Sequence, residues 1–332
     1  MDPAQFFRSS KVVIVAGKGG VGKTTVTAAL SRAAGLAGLS TLIVEIEGKS
    51  GLAEMFGRGS LGYEEVQLSQ GGGIEAAAEI RARTLTPDDA LLEYLRTHGL
   101  TRISKRLMNS GALDMVATAA PGIRDILVLG KVKQLERGGS ADLIVLDAPA
   151  AGHAITFLRS ARGLLDAVRV GPIHTQAADV LQMLTDGERC RVMLVTLPEE
   201  TPVNELVETA YSLEDEVGVS LGPVVVNGLY SDVGGLDRTA RDAADEVGAF
   251  LRPGEAEALD AAADFRRHRM ELQTEQVARL AEQLPLPQLH LPFLFTTDIG
   301  PTEIDHLARA LLDQLAGLDE ARGNSDASEA AS

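Results

Sequence analysis

A mainly parallel, doubly wound α/β sheet is the fold class this sequence predicts, and three observations carry it. A β-branched run at residues 12–16 leads straight into a glycine-rich loop, after which Val26, Ala29, Leu30, Ala33 and Ala37 recur at helical spacing. Further short apolar runs alternate with helical segments along most of the chain, the pattern of strands joined by covering helices. The composition agrees. Hydrophobic residues make up 45% but aromatic ones only 4%, with no Trp, so the core must be built from Ala, Val, Leu and Ile, as suits parallel strands buried on both faces.

In chain order the strand candidates are 12–16, 41–46, 73–80, 142–147, 191–196, 223–227 and 288–292. Two stretches, about 85–138 and about 158–186, interrupt the alternation; in the second, Val180, Leu181 and Leu184 share one helical face. Both read as helical insertions. Because they follow strands, they are expected on the carboxyl-end side of the sheet, where ligands bind in this class. A long helix is predicted over 254–283, and the tail GNSDASEAAS is small and polar enough to be disordered. The length of 332 residues fits two domains or one sheet with insertions.

Charge and cysteine usage exclude several classes. With 31 basic and 47 acidic side chains the formal net charge is −16, which disfavours nucleic acid as a partner. No secretory leader and no run of about 18 apolar residues is present, so a cytoplasmic protein that does not insert into membranes is expected. The single cysteine, Cys190, allows neither an intramolecular disulfide nor a multi-thiolate metal site within one chain, and its strand-like setting reads as burial. The run RRHR at 266–269 reads as a solvated helix face.

The chemistry is concentrated at residues 17–24, GKGGVGKT, which match the phosphate-binding pattern G-x-x-x-x-G-K-[ST] in the context that confirms it, after a strand and before a helix. Glycines let backbone N–H groups close around phosphate oxygens, the helix N-terminus adds partial positive charge, Lys23 adds a full one, and Thr24 can ligate Mg²⁺. The nucleotide-binding candidates are therefore Gly17, Lys18, Gly19, Gly20, Val21, Gly22, Lys23, Thr24 and Thr25, with ATP and Mg²⁺ as cofactors. A glycine-rich turn with no ligand is the simpler alternative, and a match at every position argues against it. The apolar run ADLIVLD ends at Asp147, where a carboxylate would hold the Mg²⁺ shell, through water.

One lysine is surplus to this loop. Lys18, beside two glycines, completes a K-G-G-x-G-K-[ST]-T pattern that resembles the deviant Walker A motif of the ATPases that include nitrogenase iron protein, MinD, ParA and the ArsA/Get type. The resemblance implies a face-to-face dimer in which Lys18 reaches the partner's nucleotide. The run APAAGHAITFL after Asp147 resembles the DTAPTGHTLRFL switch of the ArsA/Get branch at Gly152, His153, Phe157 and Leu158, with Ala150 and Ala151 replacing its Pro-Thr pair. PGIRDIL from Pro121 and VTLPEETPVNEL from Val195 also resemble segments of that branch. By the same resemblance Asn227 stands where the family contacts adenine, and Pro292 joins the nucleotide-binding set. The likeness runs from about Lys11 to Leu312 and implies one domain over 1–318 with a tail over 319–332.

Departures narrow what the resemblance implies. The family's water-activating Asp after the second strand is replaced by Glu47, which keeps the carboxylate but adds a methylene; a displacement near 1 Å costs on the order of a hundredfold in rate. Lys18, Glu47, Lys23 and Asp147 form the catalytic set, with hydrolysis slow or dependent on a partner. The segment LDAAADFRRHRM lacks the cysteines of the family's zinc clasp, and an arsenite site would need several soft thiolates. Leu107, Met108, Leu113, Met115, Leu181, Met183 and Leu184 could line a groove for apolar protein clients, but core packing is the plainer use. The acidic C-terminus lacks a basic amphipathic helix for membranes.

The expectation is thus an ATP-hydrolysing dimeric switch of the ArsA/Get type, a homodimer or a heterodimer with a paralogous ATPase, coupling nucleotide state to a protein client or partner. Two rivals stand beside it: a hydrolysis-poor regulatory subunit of such a heterodimer, and a ParA/MinD-like positioning ATPase.

Overall fold

The computed structural model describes residues 2–46, 51–69, 77–97 and 122–329. Its frame is one eight-stranded sheet in the order β3-β4-β2-β5-β1-β6-β7-β8. The strands are β1 (Val12–Gly17), β2 (Thr41–Ile46), β3 (Val66–Ser69), β4 (Ile80–Leu85), β5 (Leu143–Ala150), β6 (Cys190–Thr196), β7 (Val224–Leu229) and β8 (Gln288–Pro292). Every pairing is parallel except the β3–β4 edge. β1 lies between β5 and β6 and is buried along its whole length.

Alternation along β1 divides the interior in two. Val12, Ile14 and Ala16 enter one core, Val13 and Val15 the other. Against the second core lie helix α1 (Pro3–Arg8), helix α2 (Lys23–Leu36), which presents Val26, Ala29, Leu30 and Ala33, and the closing helix α11 (Pro301–Glu329), which presents Ile304, Leu307 and Leu311. α11 extends into the tail whose composition reads as disordered. Between β2 and β3 lies one turn of helix, α3 (Leu52–Met55), and α4 (Pro87–Thr97) follows β4.

The other face is covered by α5 (Ile123–Gly138), α6 (Ala151–Ala167), α7 (Pro172–Thr185), α8 (Glu200–Glu216) and part of α10 (Glu255–Gln283), with the short α9 (Ala240–Val247) packed on α10. The described parts of the stretches predicted as insertions are mostly helical, residues 98–121 lying outside the described set, and α5, α6 and α7 bury Ile126, Leu129, Leu158, Ala161, Val180, Met183 and Leu184 in the same core as Ile14 and Leu146. They form a covering layer on the sheet. Met183 and Leu184 are therefore core residues and Leu181 packs half-buried against them, as the plainer reading had it; Leu107, Met108, Leu113 and Met115 lie outside the described residues.

Most predicted strands are met within a few residues. The exception is 73–80: residues 70–76 lie outside the described set, and the strand there is β4, beginning at Ile80. Its sequence IRARTL hid it, because Arg81 and Arg83 interrupt the apolar signal. Arg83 is buried, its guanidinium 4.4 Å from the Tyr63 ring centre, and Arg81 pairs with Glu65 of the segment leading into β3. The RRHR run is only half solvated: Arg267 and His268 are exposed, while Arg266 donates to the Ser231 carbonyl at 2.8 Å and Arg269 pairs with Glu199.

Among the described residues no helix is long and apolar enough to cross a membrane. Cys190 opens β6 and is fully buried, and burial pushes its thiol up to about 12. A disulfide-exchange reagent at pH 8 should therefore leave the folded protein unlabelled over minutes and titrate one thiol per chain after denaturation; rapid labelling of native protein would contradict this packing.

Candidate functional site

The loop after β1 is shaped by what glycine alone tolerates. A Cβ on Gly17 would stand 2.4 Å from the Val195 carbonyl oxygen of β6, so the strand can turn there only without a side chain. Gly20 and Gly22 take φ of 87° and 88°, the left-handed region that L side chains resist. Gly22 is also the N-cap of α2, and a Cβ on it would meet the Asn227 amide nitrogen at 2.3 Å. The result is a backbone turn, exposed at Gly19 and Gly20, that delivers the chain into the N-terminus of α2.

Thr24 and Asp147 meet across this turn. Thr24 Oγ1 donates to Asp147 Oδ2 at 2.8 Å, and Thr27 Oγ1, one turn later, approaches Oδ1 at 3.5 Å. Parallel pairing of β1 with β5 sets Val15 opposite Asp147 and so puts the carboxylate beside the first turn of α2. Asp147 is buried, and burial above all lifts its carboxyl to about 6, against the opposing hydrogen bond from Thr24 and the charge of Lys23; Glu45 adds to the rise. Lys23, held below its usual range by burial, donates from Nζ to the Lys18 carbonyl at 3.0 Å, spanning the loop from inside.

The remaining predicted residues are placed as follows. Val21 is buried, and its carbonyl accepts a hydrogen bond of 2.9 Å from Asn227 Nδ2, so β7 braces the loop. Thr25 lies half-buried in the first turn of α2. Pro292 closes β8 opposite Leu229, one strand beyond Asn227. Glu47 lies outside the described residues, which stop at Ile46 of β2. Lys18 does not project freely: its Nζ donates to Glu205 Oε1 on α8 at 2.5 Å, with both side chains about two-fifths exposed. His153 is exposed on α6, whereas Phe157 and Leu158 are core residues.

Two acidic residues at this end of the sheet escaped the sequence reading. Glu205 is 187 positions from Lys18, and nothing local announces the pairing. Glu45 left a trace, as a charge inside the otherwise apolar strand TLIVEI; it is 3% exposed and accepts from Thr84 Oγ1 at 2.8 Å.

A loop turned on Gly17, Gly20 and Gly22, a helix N-terminus, a half-buried lysine and a Thr–Asp pair form a donor set that fits a nucleotide's phosphates and a hard divalent cation. The comparisons with known proteins agree. The family model for anion-transporting ATPases matches residues 10–171, which hold the loop, Asp147 and the runs PGIRDIL and GHAITFL. These residues, just under half of the chain, are similar to that family. Asn227 and Pro292 lie beyond the matched residues.

Relatives carry ATPase names. The chain is 34% identical over 221 residues to "ATPase BagA" of Mycobacterium tuberculosis, a match covering 64% of either chain. It is 26% identical over 238 residues to a "Putative arsenical pump-driving ATPase" of Halobacterium salinarum, covering 66% of this chain and 36% of that one. With "ATPase get3" of Schizosaccharomyces japonicus the identity is 28% over 188 residues, covering 54% and 55%. The match thus spans under two thirds of the length of these relatives.

The raised Asp147 carboxyl gives a signed prediction. Between about pH 4 and 6 the folded protein holds a proton on Asp147 that the unfolded chain has lost, so this group's contribution to stability falls as pH rises through that window and is lowest above it. Asp147→Asn should accordingly raise the melting temperature of the nucleotide-free protein at pH 8 more than at pH 5. Equal shifts at the two pH values would mean that the carboxylate carries no such penalty.

Proposed function

We propose that the chain is an ATP-hydrolysing switch of the ArsA/Get type that works as a dimer in the cytoplasm. The observation that carries this reading is the Thr24–Asp147 hydrogen bond, which joins the phosphate loop to a strand-end carboxylate as a Mg²⁺ site requires. Thr24 would hold the cation directly and Asp147 through water; bound there, Mg²⁺ draws charge from the β and γ phosphates. Lys23, now bonded to the Lys18 carbonyl, would turn to the phosphates, and the amides of the loop and of the first turn of α2 would receive their oxygens. Asn227 and Pro292 would flank the base. Glu47 would orient the attacking water.

Lys18 has a different part. Its pairing with Glu205 is half-exposed, and such pairs contribute roughly 0.2–1 kcal/mol. That is a weak hold on a lysine whose charge is not needed in its own loop. In a face-to-face dimer Lys18 would leave Glu205 for the partner's phosphates, where an added cation is worth about a thousandfold or more in rate. Nucleotide state would then set the dimer's geometry, because only ATP offers the γ-phosphate contacts that favour closure, and the geometry would govern a protein client or partner.

Lys23→Ala should abolish detectable Mg·ATP binding by isothermal titration. Lys18→Ala should keep ATP affinity within a few fold while cutting hydrolysis by on the order of a thousandfold. Mixed in equal amounts, these two variants should regain part of the activity, since one hybrid site keeps its own Lys23 and receives the other subunit's Lys18. A mixture that forms dimers yet stays as inactive as its parents would exclude action across a homodimer; recovery only with a paralogous chain would place this protein in a heterodimer. Glu205→Gln, which frees Lys18, should speed ATP-dependent dimer closure by up to about fivefold, the limit set by the strength of an exposed pair. Slower closure would show that Glu205 orients the lysine.

A further inference from the structure

On the side of the sheet that α5 and α7 cover, away from α2, the helices α4, α5 and α7 leave a cavity of about 450 Å³ between them. Three cations on its walls, Lys131, Lys133 and Arg137, face two carboxylates, Glu93 and Asp179. Both acids are already paired. Lys131 Nζ donates to Glu93 Oε1 at 2.5 Å and the Tyr63 hydroxyl to Oε2. Lys133 and Arg137 converge on a single oxygen of Asp179, Oδ2, at 2.9 and 3.4 Å. The bond from Lys133 holds Asp179 below the usual carboxylate range, so one ionised acid serves two cations. The glutamines add donors rather than acceptors. Each turns its carbonyl oxygen toward a lysine, Gln134 to Lys131 and Gln176 to Lys133, both at 3.3 Å. Among the described residues their amide nitrogens donate to no protein group, and Arg137 makes the one bond from its five N–H donors. Gln176 is seated by a glycine: a Cβ on Gly130, inside α5, would stand 1.6 Å from its Nε2. A glycine there weakens the helix relative to alanine, and the room it leaves is taken by this amide.

We propose that this cavity binds a small organic oxyanion, a carboxylate or a phosphate ester, with Arg137, Gln134 and Gln176 donating to it and the buried Lys133 supplying charge. The chemical class follows from what the walls hold in excess. A surplus of positive charge is relieved by an anion, and hydrogen bonds from charged donors to carboxylate or phosphate are about twice as strong as neutral ones. A cationic ligand would meet three like charges, and an apolar one would strip water from the donors without replacing it. The volume lies within the range of small-molecule sites, roughly 300–1,000 Å³. None of these residues belongs to the phosphate-loop set, so occupancy here and occupancy of the loop are separate events.

The test is isothermal titration of the full chain with succinate as the carboxylate and glycerol 3-phosphate as the phosphate ester. At least one should bind with a dissociation constant below about 1 mM, and the one that binds identifies the head group. Lys23→Ala, which alters the phosphate loop, should leave that binding unchanged. Arg137→Ala, at a half-exposed position where folding is not at stake, should weaken it about tenfold, as expected for one charged hydrogen bond. Gln176→Glu keeps the acceptor for Lys133 but puts a negative charge where the amide donor stood, and should weaken it by more. Failure of both compounds to bind the wild-type protein overturns the proposal. So does binding that persists undiminished in Arg137→Ala, or binding that disappears in Lys23→Ala and therefore belongs to the loop.

Discussion

For Thr24 and Asp147 to stand 2.8 Å apart, three things have to be true of the backbone at once. β1 and β5 must be parallel neighbours, the chain must leave β1 without a side chain at Gly17, and α2 must begin within six residues of that turn. The close approach of Gly17 to the Val195 carbonyl ties the third central strand, β6, to the same point. Asn227 adds a fourth strand by bonding Val21. The ends of four strands are thus referred to one short loop, and displacement of any of them would be felt there as a lost hydrogen bond or a steric clash.

That convergence concentrates charge where water is scarce. Asp147 and Glu45 are buried carboxylates on adjacent strands, Lys23 is a half-buried ammonium held inside the loop, and burial moves the first and the last toward their neutral forms. A buried charge is costly unless it is paired and hydrogen-bonded. The hydroxyls of Thr24, Thr27 and Thr84 donate to these carboxylates, and the Lys18 carbonyl accepts from Lys23. A metal–phosphate complex would supply opposite charge to both the acids and the lysine, so ligand binding and local stability draw on the same free energy.

What could be read from the sequence follows the range of the interactions. β1, the loop and α2 are contiguous, and Gly20 and Gly22 answer to a local backbone need, so a short window held enough information. Asp147 was legible because a strand ending in Asp after an apolar run is also local. β4 was not, since Arg81 and Arg83 owe their places to Glu65 and Tyr63 on the neighbouring chain segment, which no periodicity reports. The helices α5 to α7 were recognised as helical but taken as insertions, because the choice between covering a sheet and rising above it depends on which apolar stripe meets which strand. Glu205 lay furthest from view, its pairing with Lys18 being a property of the folded loop and α8 together.

The same pair bears on how a lysine can serve two positions. A Lys18 with no partner in its own subunit would be fully hydrated and would lose that hydration on meeting a second subunit. A deeply buried ion pair would hold it against transfer, since removing one partner of such a pair costs about 3–5 kcal/mol. The observed pair lies between these limits, at about two-fifths exposure on both sides, where the net interaction is small and sensitive to salt. Glu205 therefore keeps the ammonium near the loop rim and restricts its arc without trapping it. A charge held so lightly is available to whichever anion approaches with the better geometry, and a triphosphate, carrying more charge than one carboxylate, meets that condition.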